Sequence, residues 1–226
     1  MKRNRDQVGS LKVFSFSTFF YPKLQCGEGH ATVKNWTKAV DLFLFDLVFV
    51  PLHLGMHWAL AVIDFKSQTI QCYDSIGQRH DEICHVLLKY LTEEYRVKKG
   101  CILEAARWTV GRMRTNAIPK QVNGNDCGIF TCKYADFLSQ GKPLTFRQCD
   151  IPLFRKVMVW EIIHEKILQL VIYFFNFNKI CTYNSVVEIK LFRSWMKHKH
   201  LEMKIFFQDA VQFIRRDQHQ SPAVCL

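Results

Sequence analysis

The cysteine at position 127 lies where a chain can place a reactive thiol. Cys127 follows the polar segment 123–126 (NGND) and precedes Gly128, at the predicted start of a helix. The thiolate is the nucleophilic form of cysteine, and the free N–H groups and positive dipole end of a helix N-terminus stabilise this anion. Gly128 lets a substrate backbone approach closely. The segment therefore favours nucleophilic chemistry at Cys127.

Three other residues are of the types that such a thiol needs as partners. His57 stands at the head of one apolar run, and Asp74 stands at the end of another. A histidine can keep the thiol ionised, and an aspartate that accepts the second ring N–H fixes the tautomer and orientation of the imidazole. The backbone N–H of Cys127 and the side-chain amide of Gln121 can bind the oxyanion that develops on a substrate.

Each of these residues has a plainer interpretation when it is taken alone. A cysteine at a helix start is more often a packed thiol than a nucleophile, and His57 beside Trp58 is more often a partly buried strand-end histidine. Asp74 alone is most simply a turn residue, and Gln121 alone is a surface amide. The chemistry therefore depends on whether the fold brings these residues together.

The elements that must do so begin with strands. Three apolar runs separated by short gaps predict adjacent strands of one sheet. They are 46–52, 58–65 and 69–73. If 66–68 forms a tight turn, His57 at the head of one strand lies beside Asp74 at the end of the next. Pro51 predicts that the first of these strands ends there or lies at a sheet edge.

Helices are predicted mainly after the strands, and two of them, 81–91 and 152–170, have apolar residues at helical spacing. The predicted helices cover 33–40, 81–91, 127–138 and 152–170. Asn125 or Asp126 is the natural N-cap of the third helix, and Pro152 suits the first turn of the fourth. Near the N-terminus, 14–20 is predicted to be extended and to meet a turn at Tyr21–Pro22. Strands followed by helices predict an α+β domain.

Composition limits the setting of this chemistry. The 226 residues carry a net charge of +11, which favours an acidic partner without distinguishing nucleic acid, membrane and protein. The nine cysteines have no regular spacing and 1–10 lacks an apolar signal segment, so we expect reduced thiols. Cys72 and Cys132 are predicted to be small buried apolar side chains. No apolar stretch reaches the length of a membrane span.

Taken together, these motifs resemble the catalytic domains of SUMO-specific (sentrin-specific) cysteine proteases, and most closely the vertebrate nuclear members. The resemblance runs from about Val13 to Leu170, in order and nearly without gaps. The matching segments are 17–20 (STFF), 34–38 (KNWTK), 50–53 (VPLH), 55–58 (GMHW), 73–75 (YDS), 121–128 (QVNGNDCG), 133–136 (KYAD) and 152–161 (PLFRKVMVWE).

The resemblance implies a papain-like α+β fold of the ubiquitin-like-modifier protease type, with a central mixed sheet packed with helices. It implies a triad of His57, Asp74 and Cys127, with Gln121 in the oxyanion hole and Trp58 in a tunnel that clamps the modifier's terminal Gly-Gly. The implied reaction cleaves after this Gly-Gly through a thioester, in SUMO precursors and in SUMO linked to lysine. The implied partners are SUMO and its conjugates. The expected protein is a monomer in the nucleus, with the cytoplasm as a second location, and has no metal or organic cofactor.

Two departures from the family pattern keep alternatives open. The family's domain normally begins upstream with a Trp-Leu-Asn-Asp motif, whose tryptophan forms the opposite tunnel wall, and this sequence has no such motif. We therefore expect a catalytic domain at 1–170 that lacks one wall. A weakly active or inactive isoform that binds SUMO is the alternative to an active protease. A protease for another ubiquitin-like modifier is a third hypothesis, which the matches outside the active site disfavour.

The second departure is the basic segment 171–226, which follows the last family-like helix. We predict an extension unrelated to the catalytic domain. The alternative is a basic tail that binds a partner or nucleic acid. Its basic residues are not interleaved in a known binding motif, so nucleic acid is not expected as a partner.

Overall fold

The computed structural model describes residues 11–111 and 117–164, which form a five-stranded sheet packed with helices. The strands are β1 (Val13–Ser15), β2 (Leu47–His53), β3 (Trp58–Asp64), β4 (Thr69–Tyr73) and β5 (Thr109–Val110). The helices are α1 (Phe20–Cys26), α2 (His30–Val33), α3 (Asp81–Lys99), α4 (Cys127–Ser139) and α5 (Ile151–His164). The predicted α+β class and mixed sheet are confirmed.

The sheet is buried on both faces, which explains why β2 and β3 are continuous apolar runs. Successive side chains of a strand point to opposite faces. Val48 and Val50 of β2 accordingly pack in a core with α1 and α3, whereas Leu47 and Phe49 pack in a second core with α4 and α5. The helices are thus attached to both faces of the same central strands.

The central strands form an antiparallel meander, and the flanking pairs β1–β2 and β4–β5 are parallel. The turn between β3 and β4 is short because the carboxylate of Asp64 accepts the backbone N–H groups of Lys66 and Ser67, at 2.9 and 3.0 Å. The register pairs Leu60 with Tyr73. This register brings the segment before β3 to the end of β4, as predicted.

Two local predictions are wrong. Strand β2 continues through Pro51 to His53 and lies between β1 and β3. The proline is tolerated because β1 pairs only as far as Phe49, so the β1 side of β2 has no strand partner at this position. The predicted turn at Tyr21–Pro22 is instead the first turn of α1. A proline fits there because first-turn N–H groups have no partner within the helix.

Three of the four predicted helices are present, with shifted bounds. The predicted segment 33–40 is replaced by α2 and the short 3-10 helix Lys34–Thr37, whereas α3 extends eight residues beyond the predicted 81–91. The helix predicted for 152–170 is α5 as far as His164, and the rest lies outside the described residues, as does the predicted extension 171–226. Among the helices that the structure describes, none has the length and apolar character to cross a bilayer.

The seven cysteines in the described ranges are all free thiols. Cys72 is buried in the core, as predicted, with its sulfur 3.4 Å from that of Cys84 on α3. Cys132 differs from its prediction because it is only partly buried, where it packs against the second core, which α4 and α5 form with the sheet.

Candidate active site

The β3–β4 hairpin places His57 against Asp74. Nε2 of His57 lies 2.9 Å from Oδ2 of Asp74, whose side chain is 1% exposed. The other carboxylate oxygen, Oδ1, accepts the backbone N–H groups of Ile76 and Gly77 at 2.7 and 3.1 Å. The turn after β4 therefore holds the carboxylate in one orientation, with Oδ2 directed at the imidazole.

A second histidine shares the same oxygen. Nε2 of His80 lies 2.6 Å from Oδ2 of Asp74. Sequence analysis did not single out His80. The available signal was a histidine six residues after the aspartate, at the predicted start of a helix, and such a signal is too common to be specific.

Cys127 is the first residue of α4, and its thiol lies close enough to His57 to help raise the pKa of that imidazole. Because Nε2 of His57 is directed at Asp74, the ring nitrogen that remains for the thiol is Nδ1. Cys127 is 1% exposed, so the residue is buried rather than displayed on the surface. The structure thus brings together His57, Asp74 and Cys127, which are dispersed over 71 positions of the chain.

The charges in this cluster are set by burial and hydrogen bonding. Burial lowers the pKa of His57, but its hydrogen bonds to Asp74 and Cys127 outweigh this effect and raise the pKa to about 9. Burial raises the pKa of Asp74, and the hydrogen bonds from His57 and His80 outweigh it and hold that pKa well below its usual range. At neutral pH His57 is therefore an imidazolium and Asp74 a carboxylate, which only accepts hydrogen bonds.

The N-terminus of α4 has an unusual cap. Asp126 occupies the predicted N-cap position, but its side chain makes no capping hydrogen bond. Its buried carboxylate instead accepts from Asn123 and Gln148, at 2.7 and 2.6 Å, and from two nitrogens of Arg155. The predicted N-cap position is therefore confirmed, although the Asp126 side chain does not make the capping hydrogen bond. Because the Asp126 side chain does not cap the helix, the N–H groups of the first turn of α4 can bind an anion at Cys127.

Gln121 is positioned by hydrogen bonds from both ends of its side chain. Its Oε1 accepts from the hydroxyl of Ser75 at 2.5 Å, and its Nε2 donates to the carbonyl of Asn123 at 2.5 Å. Its backbone N–H also donates to the carbonyl of Ser75, at 2.9 Å. An amide nitrogen carries two hydrogens, so one donor of Gln121 remains for a substrate oxygen.

Apolar side chains border the cluster. Trp58 is half-buried, and its ring stacks on the exposed His53, with centroids 4.4 Å apart. Met56 and Val122, each next in sequence to a site residue, are 96% and 83% exposed. Exposed apolar side chains beside a buried thiol are typical of a surface that receives another protein.

Comparison with known proteins gives one family. The model of the Ulp1 protease family, C-terminal catalytic domain, matches residues 2–169. Sentrin-specific protease 2 of Homo sapiens is 48% identical over 168 residues, which are 74% of this chain and 28% of the relative. The sentrin-specific protease of Caenorhabditis elegans is 41% identical over 160 residues, which are 71% of this chain and 22% of the relative. The chain therefore spans less than a third of the length of these curated relatives.

Solved structures agree with the sequence comparison. The crystal structure of the C-terminal Ulp1 protease domain in complex with Smt3, the yeast orthologue of SUMO, superposes with a TM-score of 0.56 at 31% identity, over 64% of each chain. The predicted fold, with its mixed sheet packed with helices, is that of this catalytic domain. The chain therefore belongs to the Ulp1 family of proteases.

Proposed function

We propose that this chain is a cysteine protease that cleaves after the C-terminal Gly-Gly of SUMO, both in SUMO precursors and in SUMO linked to lysine. The observation that carries the proposal is the juxtaposition of Cys127 at the start of α4 with His57, which Asp74 holds at 2.9 Å. A thiol beside an imidazolium that a buried carboxylate orients is the arrangement required for acyl transfer through a thioester.

The reaction follows from the charges and donors of these residues. The Cys127 thiolate attacks the carbonyl carbon of the terminal glycine, and the oxyanion accepts hydrogen bonds from the Cys127 N–H and from Gln121. The His57 imidazolium protonates the leaving lysine amine, and a thioester remains. Neutral His57 then takes a proton from water, whose oxygen attacks the thioester and releases the carboxylate of SUMO and the thiolate.

SUMO is the proposed modifier for three reasons. The relatives are sentrin-specific proteases, and the Ulp1 domain was solved in complex with the yeast orthologue of SUMO. We infer that the half-buried Trp58 borders the path of a Gly-Gly tail, since only residues without Cβ pass a tight aromatic slot. The net charge of +11 suits an acidic partner, whose approach it would accelerate. A nuclear location and a monomeric state stay predictions.

The decisive experiment uses SUMO with a C-terminal electrophile, incubated with the purified chain. We expect a covalent adduct on the parent chain and none on Cys127→Ala. The Cys101→Ala variant is the matched control, because it removes an exposed thiol and leaves Cys127 in place. If a folded chain binds SUMO without forming the adduct, the protease assignment is wrong, and the SUMO-binding isoform takes its place.

The same assay with other ubiquitin-like modifiers tests the substrate class. Each modifier carries the same electrophile, so a difference in adduct rate reports recognition of the modifier alone. We expect the SUMO probe to react fastest. If another modifier forms the adduct as fast as SUMO or faster, that modifier becomes the proposed substrate, and the chemistry proposed for Cys127 is unchanged.

Cleavage of the SUMO–lysine bond is expected to fall as pH rises through about 9, where the pKa of His57 lies. The reason is that only imidazolium can protonate the leaving amine. The raised pKa also stabilises the fold, in full below the unfolded-state value of about 6.5, and this contribution disappears as pH rises through 9. Single-turnover cleavage and melting temperature from pH 6 to about 10 measure both effects. A cleavage rate that still increases above about pH 9 would contradict this assignment of His57.

A further inference from the structure

The buried carboxylate of Asp74 receives two imidazoles on one oxygen. Nε2 of His57 and Nε2 of His80 lie 2.9 and 2.6 Å from Oδ2 of Asp74. Because ionised Asp74 only accepts, both nitrogens carry hydrogen and both donate. Since Oδ1 already accepts two backbone N–H groups, all four donors of this carboxylate belong to the protein. His80 has the shorter contact, although only His57 is needed for acyl transfer.

The backbone of His80 is held in place independently of its ring. Its carbonyl accepts the first hydrogen bond of α3, from the N–H of Cys84 at 3.2 Å. The same carbonyl faces the thiol of Cys72 on β4 at 3.9 Å. The side chain is 12% exposed, so it is inside the protein rather than on its surface. The fold therefore delivers a donor to Asp74 from a fixed position at the start of α3.

We propose that His80 is a positioning residue for the protease reaction. It shares Oδ2 of Asp74 with His57 and thereby weakens the hydrogen bond between this carboxylate and the His57 imidazolium. The inference rests on the proposed function above. Two donors on one oxygen divide its negative charge, so each hydrogen bond is weaker than it would be alone. With a weaker hydrogen bond to Asp74, the His57 imidazolium releases its proton to the leaving amine more readily, because a general acid works best when its pKa is near the operating pH.

The other titratable side chains near this carboxylate do not compete with His80. Burial and the nearby negative charge of Asp74 both raise the pKa of Tyr134 in α4. The pKa of Cys72 in β4 is also raised, by its hydrogen bond with Cys84, by burial and by the charge of Asp74. Both side chains are thus neutral at neutral pH. Arg79 and Asp81, on either side of His80 in the chain, pair with each other near the surface.

The test compares two replacements at His80. His80→Phe keeps a ring of similar shape and removes the donor, whereas His80→Gln retains an amide N–H that can reach Oδ2. His85→Phe is the matched control, because His85 is an exposed histidine of the same helix whose ring contacts only the carbonyl of Asp81 among the described hydrogen bonds. Circular dichroism verifies the fold of each variant.

Two readouts are taken on each variant. The first is the titration of the His57 ring in ¹⁵N-histidine NMR spectra of the free chain, and the second is kcat and KM for cleavage of SUMO–lysine. For His80→Phe we expect the His57 titration to move to higher pH and kcat to fall about tenfold, with KM unchanged. His80→Gln should restore most of both properties, and His85→Phe should match the parent.

The proposal is overturned if His80→Phe leaves the His57 titration and kcat unchanged, or if His80→Gln behaves like His80→Phe. If His80→Phe does not fold, His80→Asn takes its place, since its shorter amide does not reach Oδ2. Failure of the proposed function is distinguishable, because the parent chain would then not cleave SUMO. The NMR titration needs no substrate and would still decide the role of His80.

Discussion

Replacing Asp74 by asparagine is expected to lower kcat by on the order of 10³-fold, because an amide cannot replace a carboxylate that accepts on both oxygens. Oδ2 of Asp74 accepts from His57 and His80, and Oδ1 accepts from the N–H groups of Ile76 and Gly77. Asparagine has one accepting oxygen. In one orientation its NH₂ group faces the imidazoles, and in the other it faces the two backbone N–H groups.

The measurement is steady-state cleavage of SUMO–lysine by Asp74→Asn and by a matched variant, Asp64→Asn. Asp64 also accepts two backbone N–H groups, but both bind its Oδ1, which asparagine retains. We expect the control to have the parent's kcat. A kcat for Asp74→Asn above about a tenth of the parent value would mean that the carboxylate does not orient His57. Unchanged KM would place the loss in the chemical step.

The second large effect is expected at Arg155, in α5. Arg155→Met should reduce the free energy of unfolding by about 3 kcal/mol, because it leaves the buried carboxylate of Asp126 without its cation. Asp126 is 4% exposed, and two nitrogens of Arg155 bind its Oδ1. Burial raises the pKa of Asp126, but the hydrogen bond from Arg155 leads those that lower it. The net pKa of Asp126 is below its usual range, so this residue is a carboxylate while Arg155 pairs with it.

Urea unfolding of Arg155→Met measures the loss, and Arg96→Met is the matched control. Arg96 pairs with Glu93 on the exposed surface of α3, where an ion pair contributes about 0.5 kcal/mol. The double variant Arg155→Met/Asp126→Asn should recover part of the stability, because it removes the uncompensated charge. A loss at Arg155 no larger than at Arg96 would show that the pair with Asp126 does not stabilise the fold.

Arg155→Met should also slow adduct formation with the SUMO electrophile. Asp126 directly precedes Cys127, and the carbonyl of Asn125 also accepts from Arg155 at 3.0 Å. The ion pair therefore fixes the backbone that presents the thiol. It also diverts Asp126 from capping α4, which leaves the first-turn N–H groups for the thiolate or oxyanion.

The parts of this protein that sequence alone predicted are those with local causes. Continuous apolar runs with a short gap at 66–68 predicted the central strands, because a tight turn leaves antiparallel pairing as the only arrangement of β3 and β4. The same connection predicted that His57 meets Asp74. Helix α4 was predicted from the polar turn before Cys127, which offers Asn125 or Asp126 as an N-cap. The family resemblance, rather than spacing, placed Cys127 opposite this pair.

The remaining features depend on residues far apart in the chain, which local patterns do not encode. Asp126 is the N-cap of α4 by position, but its carboxylate pairs with Arg155 of α5, which is 29 positions further along the chain. Pro51 signalled a strand end, but β2 continues because its neighbour β1 is shorter. His80 gained its contact with Asp74 from the path of the chain between β4 and α3. Tertiary structure decided these points because a side chain's best partner is set by what the packed fold brings within reach.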